Sequence, residues 1–232
     1  MDFTDRQVVV TGGTGALGSA LVGALIKAGA SCIVPYVHEA EMERFPSRGD
    51  GKATLVKIHD LADEADVAKV YAGVSPWASI HIAGGFAPGA VAETDKAKLM
   101  AQIDGNLVSC FLCCRAAVNA MRAAGGGGRI VNVASRQALE PRAGAGMAAY
   151  TVAKAGVAAL TVALAEEVAK DGILVNAVAP SIMDTPANRQ AMPQADHAAW
   201  PTVEEVAATI LFLASPANRV SRGGIVPVYG KS

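Results

Sequence analysis

The chain reads as an α/β protein built on one doubly wound parallel sheet. Three observations lead there. Short apolar runs alternate with stretches of helical periodicity, the pattern of repeated strand–helix–strand units. The first apolar run opens directly into glycines and then into a helix-like stretch, the context of a phosphate-binding turn. The 232 residues show no shift of composition and no internal period, so a single domain over residues 1–232 is expected.

The elements follow in order. Residues 7–10, carrying Val8-Val9-Val10, form the first strand. Residues 19–28 form a helix closed by Gly29, since glycine tolerates the left-handed turn that ends helices. Strands are expected at 32–37, 53–58 and 80–83. Residues 96–123 read as one long helix, stopped by the glycine run 125–128. That run lies after a helix and before a strand, so it is a helix stop and loop rather than a phosphate cradle. A strand at 129–133, a helix at 150–169, a strand at 173–178, a helix at 204–214 and a last strand at Ile225–Val228 complete the series. Right-handed crossovers place helices on both faces of the sheet.

Composition narrows the function. Twenty Lys and Arg against 21 Asp and Glu leave a net charge of −1, which offers no basic footprint for nucleic acid. No charged-then-apolar leader is visible at the start. No apolar run is read as reaching the ~18 residues of a membrane span, so no membrane partner is expected. Cys32, Cys110, Cys113 and Cys114 sit in apolar segments without histidines at zinc spacing. They read as core thiols, no metal site is expected, and a reducing cytoplasm is the expected location.

The chemistry-bearing residues are Tyr150 and Lys154 in Tyr150-Thr151-Val152-Ala153-Lys154. Positions i and i+4 share a helix face, so both side chains point into one space. A free tyrosine has a pKa of about 10. A nearby ammonium favours the phenolate and lowers that value, making the pair an acid/base device. Upstream lie the turn Thr11-Gly12-Gly13-Thr14-Gly15-Ala16-Leu17-Gly18 and Ser135, at the end of Ile130-Val131-Asn132-Val133-Ala134-Ser135. Glycines let a backbone approach a pyrophosphate, and the following helix N-terminus supplies N–H donors.

Taken in this order, these motifs resemble the short-chain dehydrogenase/reductase family, in its compact single-domain branch. The resemblance runs from Val8 to about Val228 and implies a Rossmann-type fold that binds NAD(P)(H) and interconverts a carbonyl and an alcohol. It makes Ser135 the hydrogen-bond donor to the substrate oxygen and Tyr150 the proton carrier. Lys154 holds the nicotinamide ribose and tunes Tyr150. Asn106, in Gly105-Asn106-Leu107, interrupts the long helix and holds a water beside Lys154. Cofactor contacts are implied for Gly12, Thr14, Gly15, Ala16, Leu17 and Gly18 in the turn, and for Tyr36 and His38 after the second strand. They are further implied for Asp60 and Leu61 after the third strand, where Asp60 reads equally as the N-cap of a helix from Ala62 onward, and for Ala83, Gly84 and Gly85 after the fourth. Tyr150 and Lys154 join them, with Pro180, Ser181, Ile182 and Thr185 beyond the sixth strand.

The chain departs from the family pattern in places. Ala16 stands where a glycine is usual and Gly15 comes one residue early, a spacing similar to the two-domain epimerase and dehydratase branch. His81-Ile82-Ala83-Gly84-Gly85-Phe86 replaces the usual Asn-Asn-Ala-Gly and resembles dihydropteridine-reductase-like members. His81 reads as a packed structural residue. Two extra residues separate Ser135 from Tyr150, with Pro141 between, which implies an enlarged loop. No carboxylate stands at Tyr36, where it would bind the adenosine ribose diol, so the expectation leans to NADP. Residues 186–200 are the expected substrate lid, with Arg189 reading as a solvated loop residue, and Phe86, Gln137, Met147 and Trp200 are candidates for the pocket wall. Oxoacyl thioesters and pteridines are the expected substrate classes. Epimerase or lyase chemistry and a non-catalytic dinucleotide-sensing module are the alternatives. The apolar faces of the 96–123 and 150–169 helices imply a homo-oligomer, either dimer or tetramer.

Overall fold

The computed structural model describes all of residues 1–232. Seven strands form one sheet: β1 Gln7–Thr11, β2 Ser31–Tyr36, β3 Ala53–Lys57, β4 Ala78–His81, β5 Gly128–Val133, β6 Ile173–Pro180 and β7 Ile225–Val228. Their order is β3-β2-β1-β4-β5-β6-β7, and every pairing is parallel. The helices are α1 Ala16–Lys27, α2 Glu39–Arg44, α3 Glu64–Tyr71, α4 Lys96–Ile103, α5 Ser109–Ala123, α6 Arg136–Leu139, α7 Ala148–Glu167, α8 Pro186–Ala191 and α9 Val203–Ala214. The expected doubly wound sheet is therefore the observed one. Winding reverses between β1 and β4, and the crevice at the carboxyl ends of such strands is where open α/β sheets bind ligands.

Two apolar layers sandwich the sheet. Successive strand residues point to opposite faces. Val8 and Val10 thus pack with Leu21 and Leu25 of α1 and Ile210 of α9. Val9 between them joins Val67 of α3, Cys113 of α5 and Val157 of α7 on the other side. A strand covered on both faces must be apolar throughout, which is why Val8-Val9-Val10 run together. Full burial of one such leucine side chain is worth ~1.5–3 kcal/mol.

Several elements differ from expectation. The fourth strand covers Ala78–His81 rather than 80–83, because Val8–Thr11 pair with Ala78–His81 in register. Past His81 the chain leaves the sheet and turns toward the glycine loop. The expected long helix is interrupted by a π-helical turn at Asp104–Val108. The Asn106 amide donates to the Gln102 carbonyl, 3.0 Å away, competing for an acceptor of the helix ladder. Such a turn often marks a functional site. The short helices α2, α6 and α8 carry too few turns for a periodic signal. By composition α7 is long and apolar enough to cross a membrane, with mean hydropathy 1.5 over its best window, which corrects the expectation that no segment qualifies. Its Ala153, Val157 and Ala165 are nevertheless buried in the chain's own core, along with the polar Lys154 and Thr161. The run 125–128 is a helix stop as expected: all four glycines have positive φ, and the Gly126 N–H caps the Met121 carbonyl at 2.9 Å.

Candidate active site

The glycine turn is shaped by close backbone approaches. Gly12 has φ +68°, and a Cβ there would stand 2.7 Å from the Ala83 nitrogen. A Cβ on Gly18 would stand 2.1 Å from the Gly12 carbonyl oxygen. Only glycine closes the turn at these two positions. Helix α1 then starts at Gly15 with no side-chain cap and no acid in its first turn. Its first N–H groups are left for a ligand, and the helix end carries partial positive charge. The turn opens into a cavity of about 480 Å³ whose walls include Thr14, Tyr36, His38, Leu61 and Ala83, all expected contacts. Gly12, Gly15, Ala16, Leu17, Gly18 and Gly84 line the same cavity.

Asp60 is placed elsewhere. It is exposed, its carboxylate accepts the Ala62 N–H at 2.9 Å, and it is not part of the cavity wall. Neither is it the cap of α3; Asp63 takes that position. Instead Asp66 shapes this loop. Its carboxylate accepts from Lys69 and from the His59 and Asp60 N–H groups, which hold it far below the usual carboxylate range.

A second cavity, of about 190 Å³, shares Leu17, Ile82, Gly84 and Met183 with the first. The two form one continuous cleft. Ser135, Tyr150, Lys154 and Asn106 all line the second part, so the structure brings the four expected catalytic residues together. Gly85, Pro180 and Ser181 line it too. Each catalytic residue is set by its element. Ser135 follows the carboxyl end of β5, and Tyr150 and Lys154 lie one turn apart on α7. Asn106 is aimed by the π turn, its amide donating to the Gly85 and Gln102 carbonyls at 2.9 and 3.0 Å.

The electrostatics follow from burial. Lys154 is 5% exposed, and its ammonium donates to the Val133 carbonyl at 2.8 Å. Burial lowers its pKa from the ordinary 10.5 to about 8. Its Nζ lies 6.0 Å from the centroid of the Tyr150 ring. Burial also pushes the Tyr150 phenol above its ordinary value, with the neighbouring Ser135 hydroxyl pulling the other way. The phenol is therefore raised by desolvation rather than lowered as the Lys154 spacing leads one to expect, and the one group that lowers it is Ser135. Two oxygens here are buried without a hydrogen-bond partner inside the chain: Ser135 Oγ and Asn106 Oδ1. An orphaned buried acceptor is costly, and both lie in the cleft wall. A Cβ on Gly84 would come within 2.4 Å of Asn106 Oδ1, so the absence of a side chain there keeps the space open.

His81 is structural, as expected. It is buried, with Nδ1 2.8 Å from Asn132 Oδ1 and Nε2 2.8 Å from Ser79 Oγ. Asn132 donates its amide to Thr161, so its oxygen faces Nδ1–H and Nε2 is the acceptor. His81, Cys110 and Cys114 bring one ring nitrogen and two sulfurs within 4.8 Å of one another. Both ring nitrogens are already engaged, and all four cysteines are buried free thiols, consistent with core packing.

Other expected residues lie outside the cleft wall. Thr185 is buried and caps α8, its hydroxyl accepting the Asn188 N–H at 3.2 Å. Ile182 is 42% exposed, and the next residue, Met183, lines both cavities instead. Arg189 is bound bidentate to Asp184 at 2.5 and 2.7 Å, so it is ion-paired rather than simply solvated. Trp200 is buried and packs against His197 with the rings tilted by 44°, centroids 4.6 Å apart. Of the expected pocket-wall residues only Phe86 lines the cleft, its ring edge-on to Tyr150 at 5.1 Å; Gln137, Met147 and Trp200 do not. Sequence reasoning missed Met183 and also Glu41, which lines the larger cavity. Glu41 lies in the first turn of α2 and accepts from the Thr14 hydroxyl at 3.2 Å. The only signal for it is an acidic residue five positions past the second strand.

Known proteins resemble the chain in sequence and in fold. The family model for short chain dehydrogenases matches residues 6–196. The chain is 34% identical to a galactitol 2-dehydrogenase of Rhizobium johnstonii, over 96% of this chain and 93% of that protein. It is 36% identical to a cis-4-hydroxycyclohexanecarboxylate dehydrogenase of Sinomonas cyclohexanicum, over 98% and 96%. Among solved structures, an oxidoreductase of the short chain dehydrogenase/reductase family from Burkholderia thailandensis superimposes with a TM-score of 0.87 at 31% identity, covering 98% of this chain and 92% of that one. With its parallel seven-stranded sheet, glycine turn and Ser135–Tyr150–Lys154 cleft, the chain is an oxidoreductase and belongs to the short-chain dehydrogenase/reductase family.

Proposed function

We propose that the chain interconverts a secondary alcohol and its ketone on a small molecule with a nicotinamide dinucleotide as redox partner. The observation that carries this reading is the pair of orphaned oxygens, Ser135 Oγ and Asn106 Oδ1, in one cleft with Tyr150 and Lys154. The cleft fits the dinucleotide. The free N–H groups of α1, beside Gly12 and Gly18, would hold a pyrophosphate, and Tyr36, His38 and Leu61 would flank the adenosine. Lys154 and Ser181 would hold the nicotinamide end.

When bound, the dinucleotide supplies or accepts the hydride. The Ser135 hydroxyl donates a hydrogen bond to the substrate oxygen. The Tyr150 phenol, protonated at neutral pH, gives its proton to that oxygen in the reducing direction and takes it back in the oxidising one. Both donors stabilise the oxyanion that develops on the substrate, and shielding from water strengthens that stabilisation. Lys154 supplies positive charge beside the phenol, and Asn106 offers its free oxygen to a water on the route from Lys154 to solvent. Phe86, Ile82 and Met183 give the substrate end an apolar wall.

The compounds for which the two relatives are named, galactitol and cis-4-hydroxycyclohexanecarboxylate, carry secondary hydroxyls on a polyol and on a ring. That supports polyols and cyclic alcohols as substrates beside the oxoacyl thioesters and pteridines expected from the sequence. Buried free thiols fit a reducing cytoplasm as the working location. Phe111, Val152 and Val162 are 50, 56 and 47% exposed on α5 and α7, and we assign this face to self-association. A panel of polyols, cyclic alcohols and their ketones, assayed at the nicotinamide absorbance, tests the substrate class. Turnover of a secondary alcohol is the expected result; turnover confined to thioesters or pterins overturns it.

A further inference from the structure

Resting on the dinucleotide reading above, we propose that Glu41 selects the non-phosphorylated cofactor, NAD(H), by engaging the adenosine ribose diol and repelling a 2′-phosphate. The sequence places no carboxylate at the end of β2, and by that criterion NADP is expected. The fold supplies one from another direction. After Tyr36 the chain turns through His38 into α2, and the first turn of that helix carries Glu41 back against the glycine loop. There the Thr14 hydroxyl donates to Glu41 Oε2 at 3.2 Å. Thr14 belongs to the turn that cradles the pyrophosphate, so this contact holds a carboxylate at the ribose end of the cleft. Glu41 is partly buried and lines the larger cavity.

Charge balance decides what this carboxylate accepts. A ribose diol is two hydroxyl donors and suits an ionised acceptor. A 2′-phosphate brings ~1.5–2 negative charges at neutral pH and needs a lysine or arginine. None lines this cavity. Of the nearby cations, Lys57 is bound to Glu39 at 2.5 Å, while Arg44 and Arg48 donate to the Ala40 and Glu43 carbonyls. Besides Glu41, the titratable side chains in the wall are Tyr36 and His38, and His38 is exposed. Gly15, facing the same space, has no side chain to offer. Like charges without a counterion are a device of exclusion as much as attraction.

The test is calorimetric titration of NADH and NADPH into the whole protein at pH 7.5, at low and physiological salt. The wild type is expected to bind NADH at least about tenfold tighter, with the gap narrowing as salt screens the repulsion. Glu41→Gln keeps an acceptor for Thr14 and the ribose but removes the charge. It is expected to raise NADPH affinity and bring the two cofactors within about threefold. Thr14→Val, which frees the carboxylate to swing away, shifts the ratio in the same direction by less. Equal or tighter binding of NADPH by the wild type, or an unchanged ratio in Glu41→Gln, overturns the proposal alone. Binding of neither dinucleotide overturns it together with the redox function.

Discussion

Lys154 is a buried cation, and its removal has a calculable effect on the stability of the protein free of dinucleotide. Burial holds its pKa at about 8 in the folded chain against an ordinary 10.5. At pH 7 the group is charged in both states, and the folded state bears the desolvation. A difference of that size corresponds to ~3 kcal/mol, at ~1.4 kcal/mol per pH unit. Lys154→Met removes that cost and also removes the hydrogen bond to the Val133 carbonyl, worth ~1 kcal/mol. The variant is therefore expected to be more stable than wild type by ~2 kcal/mol at pH 7, or roughly 4–8 °C in Tm for a chain of this size. Proton uptake on unfolding sets the pH dependence. Between pH 8 and 10.5 the unfolded chain binds a proton at this lysine that the folded chain does not, so wild-type stability rises with pH in that window. The advantage of Lys154→Met shrinks across it by ~1.4 kcal/mol per pH unit, vanishes near pH ~9.5 and has become a deficit of ~1 kcal/mol above pH 10.5, where only the lost hydrogen bond remains. Thermal unfolding of both proteins at matched concentration, from neutral pH up through this window, reads the difference directly. A Lys154→Met protein less stable than wild type at neutral pH, or a gap that does not change with pH, refutes the reasoning.

Two further outcomes follow from the packing. Gly18→Ala places a methyl 2.1 Å from the Gly12 carbonyl oxygen, so it is expected to weaken dinucleotide binding by at least about tenfold while far-ultraviolet circular dichroism stays native; unchanged affinity by calorimetry contradicts the role given to the turn. Self-association through α5 and α7 predicts a mass of two or four chains by light scattering, and Phe111→Glu, which sets a charge on that face, is expected to lower it toward one chain. A wild-type monomer at micromolar concentration contradicts this assignment.

Much of the fold was legible because strand and helix periods leave different marks. Val8-Val9-Val10 marks a strand buried on both sides, and glycines after it with a helix beyond mark a turn that needs close backbone approach. Tyr150 and Lys154 were legible because a spacing of four on a helix guarantees a shared face. What the sequence concealed depends on contacts between distant segments. The fourth strand begins at Ala78 because β1 sets its register, and nothing local distinguishes it from residues 80–83. The π turn at Asn106 arises from an amide that finds both Gln102 and Gly85, and the latter partner lies 21 residues away. Asp60 and Thr185 have side chains that bind neighbouring N–H groups as readily as a ligand, and in the fold they do so. Glu41 escaped notice because a single glutamate on a six-residue helix is ordinary until Thr14 is seen beside it.

The central claim is that Tyr150 carries the proton in a cleft where Ser135, Lys154 and Asn106 serve binding and positioning. Tyr150→Phe removes one oxygen and leaves the ring against Phe86. With a substrate identified from the alcohol panel, single-turnover rates and dinucleotide affinity are measured on the same preparation. The account predicts a rate lowered ~10²–10⁴-fold with dinucleotide affinity changed by less than about threefold. A Tyr150→Phe protein that turns over at the wild-type rate contradicts it.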